Sequence, residues 1–83
     1  MLEHIYEIVC SQTGLAREKI DPAADLVDDL GVSELAMVRI VQELERRFGI
    51  TVPDEEISEL KTVSDLERYI VLAYSAGRYK NIE

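Results

Sequence analysis

Asp28-Asp29-Leu30-Gly31-Val32-Ser33-Glu34-Leu35, with the run after it to Phe48, decides how this chain is read. Gly31 offers a turn, and Ser33 is a good N-cap residue, because its hydroxyl accepts from a free N–H of the first turn. Glu34 then lies in that turn, facing the positive end of the helix dipole. Turning 100° per residue separates two faces. Met37, Ile40, Val41, Leu44 and Phe48 gather on one and are predicted to be buried. Leu35, Arg39, Gln42 and Arg46 line the opposite edge, with Val38 at the border. A lone exposed leucine is ordinary, but Leu35 at the start of a helix, beside a long acidic loop, hints at a docking spot. Arg39–Glu43 and Glu43–Arg47 stand four apart, and such pairs support any exposed helix by about 0.2–0.5 kcal/mol.

Upstream, Leu2 to Thr13 reads as a helix, with Leu2, Ile5 and Val9 on one stripe and Tyr6 and Ile8 beside it. Gly14 stops it. His4 and Cys10, six apart, lie about 120° out of line on a helix and make no catalytic pair. Residues 15–32 form a long connection. Asp21-Pro22 marks an extended dipeptide or turn. Leu15, Ile20, Leu26, Val27 and Leu30 are spaced irregularly, as in a loop pinned to a core. From Asp21 to Glu34 there are five acids and no base. Asp25, Asp28, Asp29 and Glu34 do not have the spacing of a calcium-binding EF-hand loop. A solvated acidic loop is expected, and no metal.

Downstream, Gly49 ends the central helix and Ile50-Thr51-Val52 is extended. Pro53 opens a short helix over Asp54 to Leu60, with Ile57 and Leu60 inward. Thr62-Val63-Ser64-Asp65 resembles a capping box with Asp in place of Glu. The helix after it runs to about Ala76, with Val63, Leu66, Ile70 and Ala73 inward, and Gly77 stops it. Residues 1–77 therefore read as one helical domain and residues 78–83 as a flexible tail.

Composition sets the outer limits. Eighty-three residues make one small domain, and 47% hydrophobic with 31% charged residues is a globular balance. Seventeen acids against nine bases give a net charge of −8. Such a surface repels nucleic acid and anionic membranes, and protein partners with basic patches are expected instead. Acidity also serves simply to keep a small domain soluble. One cysteine excludes an internal disulfide and any cysteine cluster for zinc. No apolar run approaches the ~20 residues of a membrane span, and a cytoplasmic protein is expected.

The ordered set Asp29-Leu30-Gly31-Val32-Ser33-Glu34-Leu35, Val38, Ile40, Leu44, Glu45, Phe48-Gly49-Ile50, Val52-Pro53-Asp54-Glu55-Glu56, Thr62-Val63-Ser64-Asp65-Leu66 and Tyr69-Ile70 resembles the acyl carrier proteins over nearly the whole chain. The resemblance implies an all-α four-helix bundle of three longer helices and one short one, with a long loop between the first two. It also implies a non-catalytic role. Members of that family carry acyl chains as thioesters on a 4′-phosphopantetheine arm, joined to the serine of an Asp-Ser-Leu motif at the head of the second helix, which also docks on partner enzymes.

Aligned without gaps, those three positions read Ser33-Glu34-Leu35 here, so Glu34 takes the attachment position. A hydroxyl forms a stable phosphodiester with the arm, whereas a carboxylate gives only an acyl phosphate that water cleaves. Ser33, one residue earlier, points about 100° away or into the cap. Residues 33–48 also balance three acids with three bases, unlike the acidic docking helix of the family. Two roles follow. The first is a carrier-like monomer without a covalent cofactor, docking through Leu35, Val38, Arg39, Gln42 and Arg46 on enzymes of fatty acid, polyketide or related biosynthesis. The alternative is a working carrier with 4′-phosphopantetheine on Ser33.

Overall fold

In the computed structural model, which describes residues 1–80, the elements follow as α1 (Leu2–Thr13), α2 (Glu34–Phe48), α3 (Asp54–Ile57) and α4 (Val63–Ser75). A single 3₁₀ turn at Arg17–Lys19 interrupts the connection between α1 and α2. No strand occurs among the described residues. Helix α1 packs on α2 and α4, and the one-turn α3 lies against α2.

Each long helix turns inward the residues that its periodicity selects. From α1 come Ile5, Tyr6, Ile8 and Val9, from α2 Met37, Ile40, Val41 and Leu44, and from α4 Val63, Leu66, Ile70 and Ala73. They join one apolar cluster with no buried polar residue among the described ones. Burial of such side chains is worth roughly 1.5–3 kcal/mol each for the larger ones, which is what holds helices this short together. Leu2 stays exposed, off the stripe assigned to it, and Phe48 is only half-buried, with its ring edge-on to His4 and Tyr74.

The long connection is pinned to the core. Ile20, Leu26 and Val32 are buried, and Leu15, Val27 and Leu30 pack against them. Leu26 N–H donates to Lys61 C=O at 2.8 Å, and Ser64 N–H donates to Pro22 C=O at 3.0 Å, so the loop is also bonded to the start of α4.

Three local expectations are corrected. Pro53 precedes α3 as its N-cap rather than forming its first residue. Helix α3 spans one turn instead of two: beyond Ile57 the bonds are Glu59 N–H to Glu56 C=O and Leu60 N–H to Ile57 C=O, a tighter three-residue pattern. The pairs Arg39–Glu43 and Glu43–Arg47 do not form. Arg46 engages both Glu43 oxygens at 2.8–2.9 Å, and Arg47 reaches across to Glu7 of α1 at 2.9 Å. The bidentate Arg46 fork uses up Glu43.

The tail expected at residues 78–83 lies in part, at 81–83, outside the described residues. Among the others, Arg78 N–H donates to Ala73 C=O and Lys80 N–H to Gly49 C=O, while Tyr79 rests on Tyr74 with ring centroids 4.8 Å apart.

Candidate functional site

The head of α2 is built by the acidic loop folding on its own side chains. One Asp25 oxygen accepts from the N–H groups of Val27 and Asp28, at 3.0 and 2.8 Å. Asp29 accepts in turn from Asp25 N–H at 2.9 Å. These are the local side-chain bonds that make Asp a turn former. Gly31 reverses the chain at φ 72°, a left-handed conformation that glycine enters without strain. Val32 then drops into the core and donates its N–H to Leu26 C=O at 2.9 Å.

That anchor delivers Ser33 to the cap. Its backbone is extended, at φ −71° and ψ 156°, and its hydroxyl oxygen accepts from Ala36 N–H at 3.0 Å. Glu34 is the first helical residue, exposed and without an ion pair among the described residues. Leu35 follows with 60% of its surface in water. Arg39, Gln42 and Arg46 are exposed further along the same edge, and Val38 is half-buried. Because Glu43 is held by Arg46, Arg39 keeps a free guanidinium among the described residues. Hydrogen bonding from Arg46 holds the Glu43 carboxyl below its ordinary range, and the Arg47 bond does the same for Glu7.

Beside this head a half-open cleft of about 550 Å³ separates α2 from α3 and the acidic loop. Its floor is apolar: Val27 from the loop, Met37 and Val38 from α2, and Ile57 and Leu60 from the region of α3. Glu34 stands among its lining residues, so the first helical residue of α2 borders a cavity of ligand size. Nothing in the periodicity of any single helix announced this cleft, because its walls are drawn from three separate segments.

The remaining chemistry-bearing side chains lie elsewhere. His4 is exposed, with Nδ1 3.4 Å from Arg47 and its ring against Phe48. Cys10 is half-buried on α1. Among the described residues, no three His, Cys, Asp or Glu side chains are grouped to hold a metal ion, and no helix is long and apolar enough to cross a membrane.

Comparison with known proteins matches residues 3–70 to the family model described as the phosphopantetheine attachment site. The acyl carrier protein of Renibacterium salmoninarum is 41% identical over 73 residues, covering 88% of this chain and 90% of that one. That of Syntrophobacter fumaroxidans is 39% identical over 66 residues, covering 80% and 82%. Among solved structures, an acyl carrier protein from Enterococcus faecalis superposes with a TM-score of 0.72 at 25% identity, covering 86% of this chain and 90% of that one.

Proposed function

The chain belongs to the acyl carrier protein family, and on that premise we propose that it works without the covalent arm, as a docking partner of enzymes that build or transfer acyl chains. The observation that carries this is the head of α2, where the first helical residue is Glu34 and the adjacent hydroxyl, on Ser33, serves as the helix cap. The residues there do not fit phosphopantetheine. A Glu34 carboxylate would form a mixed anhydride with the phosphate, which hydrolyses, and the Ser33 oxygen already accepts a backbone bond one position too early.

Docking runs along Leu35, Val38, Arg39, Gln42 and Arg46. Leu35 supplies the apolar contact, and the free Arg39 supplies a charge that suits an acidic rather than a basic partner surface. The chain needs no catalytic group of its own for this role. The family model is named for the attachment site, and this favours the second reading, a working carrier modified on Ser33.

Intact mass after incubation with coenzyme A and a promiscuous phosphopantetheinyl transferase separates the two. No gain is expected. A gain of one phosphopantetheine, lost in Ser33→Ala, overturns the arm-free reading. For the docking face, Leu35→Ala and Arg39→Glu are expected to weaken recovery of a specific partner from the native host with little loss of folding stability. If neither alters that recovery, the edge is only a solvated face.

A further inference from the structure

We infer that residues 78–80 are a strap, which closes the end of the bundle opposite the α2 head and lifts without unfolding the rest. It lies at the far end of α2 from Ser33, so it works the same with or without a covalent arm. Its hinge is firm. Gly77 N–H donates to Tyr74 C=O at 3.0 Å and Arg78 N–H to Ala73 C=O at 2.8 Å. With Gly77 left-handed at φ 71°, this double closure is the Schellman ending of a helix, and it turns the chain back. A Cβ at Gly77 would meet nothing within 4 Å, so only the backbone conformation asks for glycine there.

Its latch is light. Tyr79 rests on Tyr74, and Lys80 N–H donates at 2.6 Å to the C=O of Gly49, the left-handed residue that ends α2. Arg78, Tyr79 and Lys80 are all exposed, and none enters an ion pair among the described residues. Beneath the latch runs a ladder of rings. Tyr74 stands edge-on to Phe48 at 6.4 Å, and Phe48 edge-on to His4 at 6.2 Å, so the ladder spans α4, α2 and α1. Tyr74 is itself fixed by its O–H bond to Phe48 C=O. Lifting the strap therefore breaks one main-chain bond and one ring contact. The hinge stays closed, and the Tyr74 ring beside Phe48 is bared. A segment held so lightly opens far more readily than the core, whose apolar side chains are buried together.

Backbone amide exchange of the ¹⁵N-labelled full chain tests this, under conditions where the rate follows the opening equilibrium. Lys80 N–H is expected to exchange roughly 5–50-fold more slowly than in an unstructured peptide, which is what one hydrogen bond and one aromatic contact supply. Low urea should leave that rate unchanged, because lifting the strap exposes little surface, whereas exchange at buried Ile70 should be far slower and climb with urea. Tyr79→Ala should lower the Lys80 protection by ~2–10-fold through loss of the ring contact. Gly77→Ala should lower it too, through strain at the hinge. Val71→Ala, on the exposed side of α4 outside the ladder, should not. A soluble nitroxide should broaden the Tyr74 ring signals more in Tyr79→Ala than in the parent chain.

Lys80 exchange at the peptide rate in the parent chain means that no strap closes. Lys80 exchange with the same rate and urea slope as Ile70 means that the segment opens only when the whole bundle unfolds. Either result overturns the strap. Unchanged Lys80 protection in Tyr79→Ala, or an equal loss in Val71→Ala, overturns the latch, and equal nitroxide broadening means that the segment covers nothing. The mass measurement reads the arm separately, so a phosphopantetheine gain leaves the strap standing.

Discussion

Ser33 and Thr62 hold the same position at the heads of α2 and α4, and they hold it unequally. Ser33 accepts one bond, from Ala36 N–H. Thr62 belongs to a closed box: its hydroxyl accepts from Asp65 N–H at 2.9 Å, while the Asp65 carboxylate accepts from the N–H groups of Thr62 and Lys61 at 3.1 and 3.0 Å. Losing a capping hydroxyl costs about 0.5–2 kcal/mol. Urea unfolding should place Ser33→Ala near 1 kcal/mol of destabilisation, and Thr62→Ala toward the upper end of that range, because the Asp65 N–H left without its acceptor is part-buried whereas Ala36 N–H is exposed. A Ser33→Ala loss well above 2 kcal/mol would mean that the hydroxyl does more than cap. Both caps were legible in the sequence, since a cap involves residues three apart. The charge pairs were not. Spacing allowed Glu43 to take Arg39 or Arg47, yet Arg46 takes it, and Arg47 turns to Glu7, forty positions away. Where Arg47 goes is therefore a property of how α1 packs on α2, while the choice of Arg46 over Arg39 for Glu43 is made within α2.

Helices α2 and α4 show how far periodicity reaches. The apolar residues of α4 chosen by spacing are the buried ones without exception, and on α2 only Phe48, at the end of the bundle, comes out half-covered. Helix α3 shows where periodicity stops. Asp54 to Leu60 carries Ile57 and Leu60 three apart, as a helix would, but only Asp54–Ile57 is helical and the rest is a turn. A segment this short has too few i→i−4 bonds for its pattern to decide, and packing sets its end instead. The energetic difference between the faces of α2 is measurable. Ile40, fully buried, should lose about 2–5 kcal/mol on Ile40→Ala, whereas exposed Gln42→Ala should stay within ~0.5 kcal/mol. Chemical denaturation of the two variants tests this, and comparable losses would contradict the assignment of inner and outer faces.

Across the whole molecule, Tyr69 and Tyr74 tie α4 to the rest. Tyr74 O–H donates to Phe48 C=O at 2.7 Å, at the end of α2. Tyr69 O–H is 3.2 Å from a Glu56 oxygen and 3.4 Å from Thr51 C=O, and so joins α4 to α3 and the extended segment before it. Desolvation, reinforced by the Glu56 charge, pushes the Tyr69 phenol above its ordinary value. A raised folded-state value means that the neutral phenol is favoured in the fold. Its contribution is complete below pH ~10 and is lost as pH rises through the folded value. Stability should fall in alkali from about pH 10, and Tyr69→Phe should flatten that part of the profile. An unchanged slope in the variant would assign the fall to other groups. The sequence by itself determined the long helices, their caps and their buried faces. Those depend on residues within about one or two turns of each other, where chain geometry is already set. Only the tertiary structure decided that Arg47 pairs with Glu7 of α1, that α3 is a single turn, and that Glu34 opens onto a cleft. Those features depend on distances between segments that meet only after the apolar faces have packed.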